Sequence, residues 1–370
     1  MKILFISGSL EPGRDGVGDY TRRLAGELIQ QGNVVRVIAY NDKYISEIEN
    51  IEQIADGTGI EVLRIPSKFS SKQKVECTKL FIDEFNPEWI SLQYVPFAFQ
   101  DKGLPFGLGS LLKKLGEGRK CHVMFHELWV GMDMEAPIKH KLWGKVQKMI
   151  IRKMIQQLSP QVIHTQTQLY QLQLENIDFQ ASILPLFGNI PVKCNRAEPT
   201  KNKQILSFVI FGTIHPGAPI KRFAEELTSY QNKHQLKIKL IFIGRCGVEL
   251  EHWVSVCKKA DIDVNVMGEQ NSERISEVLS SADWGISSTP MFLSQKSGTV
   301  TAMCEHQLQV LCVARSWQVK GLPKLAVPES IIEYKNGDLE SILSNRKDPN
   351  QANSLYQIAQ QFTIALKAIN

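Results

Sequence analysis

Residues 1–21 read Met-Lys-Ile-Leu-Phe-Ile-Ser-Gly-Ser-Leu-Glu-Pro-Gly-Arg-Asp-Gly-Val-Gly-Asp-Tyr-Thr, and this stretch decides the fold class. The apolar run 2–7 is short and is bounded by glycine and serine. That is the pattern of a strand buried on both faces. Gly13, Gly16 and Gly18 then form a turn, and apolar residues at helical spacing follow from Asp19 to Gln31. Strand, glycine-rich turn and helix make the opening unit of a parallel α/β sheet. The glycine spacing is not G-x-G-x-x-G, so the dinucleotide-binding fingerprint is excluded.

The alternation continues outward from this unit. Strands are expected at 34–39, at 61–64, at 89–93, at 122–125 and at 161–165, with a long helix over 138–157. The pattern breaks between Leu184 and Lys203, where Pro191, Pro199 and a polar run read as a linker. It restarts with strands at 205–211, 237–243, 263–266, 284–287 and 310–313, and helices at 220–231, 247–259, 272–281 and after Gly298. The expectation is an α/β chain of two Rossmann-like doubly wound domains facing a cleft. The first spans 1–188, a linker 189–203 and the second 204–350, and a helix within 351–370 crosses back to the first domain.

Composition fits two ordinary cores: 370 residues, 43% hydrophobic and 22% charged. A formal charge of +5 admits an anionic ligand or lipid surface but is far from a nucleic-acid signature. The seven cysteines show no C-x-x-C pair and no metal-like spacing with His, so no metal site is expected. Cys121, Cys304 and Cys312 lie in apolar runs and read as core residues of a reducing compartment. The chain shows no signal peptide and no run of about 18 apolar residues. A cytoplasmic protein, peripheral at most to a membrane, is expected.

Four constellations sit where such sheets bind ligands, at the carboxyl ends of strands. Gly16-Val17-Gly18 opens the first helix, where close backbone approach and unpaired amides suit a diphosphate or an anionic acceptor. His126-Glu127 follows an apolar strand; a His there can donate to a developing leaving-group charge, with Glu127 fixing its orientation. Gly212-Thr213-Ile214-His215 ends the first strand after the linker, and Lys221 begins the next helix. Lys296-Ser297-Gly298-Thr299 offers a point charge, two hydroxyls and free amides at a helix start, the equipment of a pyrophosphate site. A fifth stretch, 139–153, carries Leu142, Trp143, Val146, Met149, Ile150 and Met154 at helical spacing among basic residues. Packing of one face on the sheet is expected, with contact to anionic lipid as the alternative.

Taken in order, these residues resemble the GT-B glycosyltransferases, in their retaining, family-four-like bacterial branch. Gly16-Val-Gly-Asp-Tyr-Thr-Arg-Arg-Leu-Ala25 is similar to that branch's glycine loop and first helix. Ser91-Leu-Gln-Tyr-Val-Pro96 and Lys102-Gly-Leu-Pro105 resemble its acceptor-side segments. Phe125-His-Glu-Leu-Trp129 resembles its His-Asp strand end with Glu for Asp, and Leu184-Pro-Leu-Phe-Gly-Asn-Ile-Pro191 its crossover. Phe211-Gly-Thr-Ile-His-Pro216 and Lys296-Ser-Gly298 resemble the donor loops of a bacterial subgroup. The resemblance implies a UDP-, GDP- or ADP-sugar held mainly by the second domain and a glycan or lipid-linked acceptor held mainly by the first. It implies retention of configuration without a required metal or other cofactor. Carried onto this sequence, His126 would contact the sugar near the reacting carbon, with Glu127 and Lys221 as its catalytic companions. Gly268-Glu269 would border the base, and Lys296 to Thr299 would hold the phosphates.

The second half departs from the family pattern. Thr213 stands where an Arg is common, Lys221 is an approximate match for a Lys, and Thr301 replaces the first of two glutamates. Glu305, one helical turn later, takes the ribose-binding place in this comparison, and Lys296 supplies the charge of the missing Arg. Two alternatives follow: a non-catalytic GT-B partner subunit, or a nucleotide-sugar epimerase or hydrolase on the same fold.

Overall fold

The computed structural model describes residues 1–193, 204–319, 325–326, 328–346 and 354–369. Two compact units divide the chain. One comprises Met1–Pro185, Gln318–Pro323 and Ser354–Asn370, the other Leu186–Trp317 and Lys324–Asn353. The division falls at Pro185; of the linker expected over 189–203, residues 194–203 lie outside the described residues. Residues 351–353 of the expected terminal helix lie outside them as well.

The first unit begins with β1 (Lys2–Ser7), α1 (Gly16–Gln30), β2 (Val34–Asp42), β3 (Glu49–Ala55), β4 (Thr58–Pro66), α2 (Ser71–Phe85) and β5 (Trp89–Tyr94). It continues with α3 (Pro96–Phe99), α4 (Leu108–Leu115), β6 (Lys120–Phe125), α5 (Ile138–Leu158), β7 (Val162–Thr165), α6 (Gln168–Glu175) and β8 (Ser182–Ile183). Its eight strands run in the order β3-β4-β2-β1-β5-β6-β7-β8, all parallel except β3, which pairs antiparallel with β4. The order reverses between β1 and β5, so the ligand-binding switch point lies at their carboxyl ends. Ile3, Leu4, Phe5 and Ile6 have no exposed surface, and every residue of β5 is buried. Covered on both faces, these strands need no polar alternation; β1 is apolar from Ile3 to Ile6, and the polar Ser91 and Gln93 of β5 are buried.

The β3–β4 hairpin was not expected. Asp56-Gly57 turns it with both residues at positive φ, 47° and 83°, the geometry of a two-residue primed turn whose twist matches the strands. Helix α1 starts at Gly16, three residues before the expected Asp19. The Asp15 carboxylate accepts from the amides of Val17 and Gly18 and so nucleates the helix there. Helix α2 carries a capping box, Ser70 with Gln73, and ends at Asn86 in the left-handed conformation.

The second unit carries β9 (Ile205–Phe211), α7 (Ile220–His234), β10 (Lys237–Ile243), α8 (Leu250–Lys259), β11 (Asp263–Gly268), α9 (Ser272–Ser281), β12 (Trp284–Ser287) and a 3-10 turn over Met291–Lys296. Next come α10 (Gly298–Glu305), β13 (Gln309–Cys312), β14 (Ile331–Glu333) and α11 (Leu339–Ser344). Its six parallel strands run β11-β10-β9-β12-β13-β14, reversing between β9 and β12. Alternate residues of β9 face opposite layers. Phe208 and Ile210 pack with Phe223, Trp253 and Leu339, while Val209 and Phe211 pack with Ile275, Val300 and Met303. Both faces are thus covered by helices, the mark of a doubly wound sheet. Ile190, within the expected linker, is buried in the second of these layers.

The last helix, α12 (Leu355–Lys367), belongs to the first unit. Its apolar face, Ile358, Phe362 and Leu366, is fully buried, and Phe362 lies 5.7 Å from the Phe5 ring of β1. Burial of each such side chain contributes about 1.5–3 kcal/mol. Among the described residues no helix is long and apolar enough to cross a membrane, and the six described cysteines are free thiols. Burial pushes the Cys121 and Cys312 thiols up to about 12.

Candidate functional site

In the first unit the site lies where β1, β5, β6 and β7 end. The loop after β1 is anchored from below by Arg64 of β4. The Arg64 guanidinium pairs with Asp42 at 2.8 Å, with Glu49 at 3.0 Å and with Glu11 at 2.6 Å. Asp42, fully buried, also accepts from the Leu10 amide. These bonds fix the loop that leads into Gly13-Arg14-Asp15. The amides of Val17 and Gly18, expected to face a ligand, are taken by Asp15 at 2.9 and 3.1 Å. Burial raises the Asp15 carboxyl above its ordinary value, opposed by these same two amides. Gly18 answers to the fold: a Cβ there would sit 2.6 Å from the Ser9 carbonyl oxygen. Gly16 is exposed, and a Cβ on it meets nothing within 4 Å.

His126 is the centre of the first unit's candidate site. It lies one residue past β6, is 4% exposed, and packs edge-on against Tyr20 of α1 at 4.8 Å. Its Nε2 lies 2.9 Å from Gln93 Oε1 and its Nδ1 lies 3.0 Å from Gln166 Nε2. Two glutamines therefore flank both ring nitrogens; the sequence expectation was that Glu127 fixes the ring's orientation. Glu127 itself is half-buried, and its amide donates to the Tyr94 carbonyl at 3.4 Å.

In the second unit the site lies at the switch point between β9 and β12. Gly212 follows β9 at φ 82°, and a Cβ there would come within 2.8 Å of Thr299 Cγ2. Only glycine allows this close approach of the β9 loop to α10. The His215 amide donates to Ser288 Oγ at 2.7 Å, tying the two sides of the switch point together. Desolvation and then the Lys296 charge lower the His215 pKa. Ser297 caps α10, accepting from the Val300 amide at 3.4 Å, and its hydroxyl lies 3.1 Å from Thr299 Oγ1. Gly212 thus lies against Thr299, and His215 lies within reach of the Lys296 charge that precedes Ser297-Gly298-Thr299. Thr213 Oγ1 donates to the Arg245 carbonyl at 3.5 Å, while the Arg245 side chain pairs with Glu269 at 3.7 Å beside Gly268. Lys221 is exposed on the first turn of α7. The Glu305 carboxylate accepts from the Gly188 amide at 2.7 Å, holding the segment that opens this unit. Among the described residues no cluster of three or more His, Cys, Asp or Glu side chains could hold a metal ion.

No family model matches the sequence, and no curated protein matches it. Solved structures do. The lipopolysaccharide outer core galactosyltransferase WaaB, in its apo form, aligns over 100% of this chain and 99% of its own, with a TM-score of 0.59 at 13% identity. The chain has the GT-B fold. Two further GT-B neighbours were solved with ligands. Starch synthase IV from Arabidopsis thaliana, bound to ADP and acarbose, aligns over 100% of this chain and 99% of its own (TM-score 0.55, 9% identity). HepE from Anabaena, in complex with UDP and glucose, aligns over 99% and 90% (TM-score 0.53, 12% identity).

Several residues of this GT-B chain escaped the sequence reading. Gln93 and Gln166 stand at or just past strand ends, and the rule that ligands gather there could have flagged them. Arg245 and Arg315 follow β10 and β13 in the same way; a Cβ on Gly217, in the loop after β9, would meet the Arg315 side chain at 3.4 Å. Asp15 was passed over because it sits between glycines that drew attention as ligand contacts.

Proposed function

We propose that this GT-B chain is a glycosyltransferase that moves a sugar, with retention, from a nucleotide sugar to a glycan or lipid-linked acceptor. The second unit takes the donor and the first takes the acceptor. One observation carries the proposal: the switch point of the second unit brings together the Lys296 charge, His215 and the capped start of α10. As the glycosidic bond breaks, negative charge grows on the departing diphosphate. Lys296, the Ser297 and Thr299 hydroxyls and the α10 amides near Gly298 would stabilise that charge without reorganising. Gly212 lets the β9 loop approach the phosphates, Gly268 and Glu269 border the base, and His126 faces the sugar. Gly16, Val17 and Gly18 would approach the donor diphosphate or the acceptor. The nucleotides bound by starch synthase IV and HepE support a nucleotide donor.

An exposed stripe on α5 supports a lipid-linked acceptor. Ile138, Leu142 and Met149 are 76%, 57% and 69% exposed, and Lys141, Lys145, Lys148 and Arg152 flank them on the same helix. The sheet-facing side is built instead from Ile150, Ile151, Met154 and Ile155. An apolar stripe with a basic border suits an anionic membrane surface. Flotation with anionic but not neutral vesicles, lost on Leu142→Asp, is expected.

The test of the donor site is thermal stabilisation by UDP-, GDP- and ADP-sugars, followed by turnover with the stabilising donor. Lys296→Ala should lower turnover about 10²–10³-fold, as loss of one charge-stabilising donor does elsewhere; unchanged turnover and donor affinity would refute the assignment. The non-catalytic reading rests on the Val17 and Gly18 amides and the Glu305 carboxylate being satisfied within the chain. Weak nucleotide binding by calorimetry with no donor turnover would select it. Turnover without any acceptor would select an epimerase or hydrolase.

A further inference from the structure

Behind His126 runs a line of polar side chains that crosses three strands of the first unit. Gln93 Nε2 donates to Ser91 Oγ at 2.8 Å, Ser91 Oγ lies 2.7 Å from His122 Nδ1, and His122 Nε2 lies 3.1 Å from His164 Nδ1. With the two bonds at His126, this makes an unbroken chain: Gln166, His126, Gln93, Ser91, His122, His164. All six residues are buried; Ser91 and His122 have no exposed surface, Gln93 is 1% and His164 3% exposed. At its inner end Phe362 of α12 lies edge-on to the His122 ring at 5.0 Å. Buried polar groups of this kind would cost several kcal/mol unless each found a partner. Here every link is made.

The direction of the chain follows from its donors. Gln93 gives its amide N–H to Ser91, so its carbonyl oxygen must accept from His126 Nε2–H. Ser91 then gives its hydroxyl proton to His122 Nδ1, and His122 Nε2–H donates to His164 Nδ1. Gln166 N–H donates to His126 Nδ1. Every bond points the same way, from the crevice inward.

We propose that Gln93 and Gln166 are positioning residues for His126, and that the buried chain from Gln166 to His164 holds that imidazole as a neutral Nε2–H tautomer in a fixed orientation. The proposal deepens the glycosyltransferase reading, on which only its kinetic consequence rests. His126 is then a rigid polar wall for the sugar, and it gives no proton to the departing diphosphate. The titratable groups described beside the chain include its own imidazoles, Tyr20 of α1 and Glu127, next in sequence. Burial holds His122 and His164 well below the ordinary imidazole range, so the inner links stay neutral. With every imidazole neutral, a chain of this composition has one other self-consistent arrangement, with both amides flipped and all bonds reversed, in which His126 carries its proton on Nδ1; flipping Gln166 alone would instead receive a doubly protonated His126.

Nitrogen-15 NMR of the histidine-labelled full chain separates these states without any assay of activity. The expected spectrum shows His126 and His122 as Nε2–H tautomers. Gln93→Glu places a carboxylate against Nε2 and should shift the His126 Nε2 signal. Ser91→Ala, the gentler variant if Gln93→Leu fails to fold, should shift the His126 ring signals by uncoupling Gln93. With an active donor, Gln93→Leu should lower kcat about tenfold or more while the donor KM stays within threefold. An Nδ1–H or doubly protonated His126 at about pH 7.5, or His126 signals unmoved by Ser91→Ala, would each overturn the proposal. The expected spectrum together with no turnover of any nucleotide sugar would uphold the chain and refute the glycosyltransferase reading instead.

Discussion

Acidification should unfold the first unit, and His164 sets a scale for the effect. Its ring is 3% exposed, and burial lowers its pKa to about 4 in the folded chain, against about 6.5 when the chain is unfolded. A lowered folded pKa means that the unfolded chain binds the proton more readily between these values. Stability is therefore fully present above about pH 6.5 and is lost as pH falls towards 4. The loss from this one group is about 2 kcal/mol at pH 5 and approaches about 3.4 kcal/mol below pH 4, at 1.36 kcal/mol per pH unit. His122 adds to it in the same direction. Hydrogen exchange resolves the first unit from the second. After correction for intrinsic rates, global-opening amides of β5, β6 and β7 should lose protection about 30-fold or more between pH 7.5 and pH 5. His164→Gln removes the titrating group, keeps an acceptor for His122, and should flatten this dependence by about 2 kcal/mol. An equal loss of protection in native and variant chains would refute the linkage.

Other perturbations test the supports of the site. Arg64→Met should destabilise the first unit by about 3–5 kcal/mol in urea unfolding, because it strands the fully buried Asp42 carboxylate. Phe362→Ala should cost about 3–5 kcal/mol and raise the proteolysis of α12, since that ring is wholly buried against β1 and His122. Gly144→Ala should cost about 2–3 kcal/mol, because its Cβ would fall 2.0 Å from the Val130 carbonyl oxygen. Gly16→Ala enters open space and should leave the melting temperature unchanged or slightly raised; lost acceptor turnover in that stable variant would place a ligand against the α1 start.

What was legible in the sequence followed from periodicity. Runs such as 2–7, 205–211 and 237–243 are mostly apolar because both faces of a parallel strand are covered, and they were placed at their actual bounds. The β3–β4 hairpin was missed although Asp56-Gly57 is a strong turn signal. Its outer strand, Glu49–Ala55, is an edge with mostly exposed residues and so lacks an apolar run. Helix α2 was missed as well, its apolar face being only Phe81, Ile82 and Phe85 among charged neighbours. On α5 the spacing showed that a helix exists but not which apolar residues it buries; Ile150 and Met154 face inward, whereas Leu142 and Met149 face solvent.

By itself, the sequence determined two doubly wound α/β units and the strand ends that are their candidate sites, because covered parallel strands and glycine-rich turns leave a local signature. Only the tertiary structure decided which groups at those ends are already satisfied. The Val17 and Gly18 amides point at Asp15 and the Glu305 carboxylate at Gly188, so groups that look available in the sequence are already satisfied. His126 is held by Gln93 and Gln166, 33 and 40 residues away in the chain, and no local pattern relates them. Hydrogen bonds between neighbouring strands join residues by register across the sheet, and register is set by the packing of the whole unit.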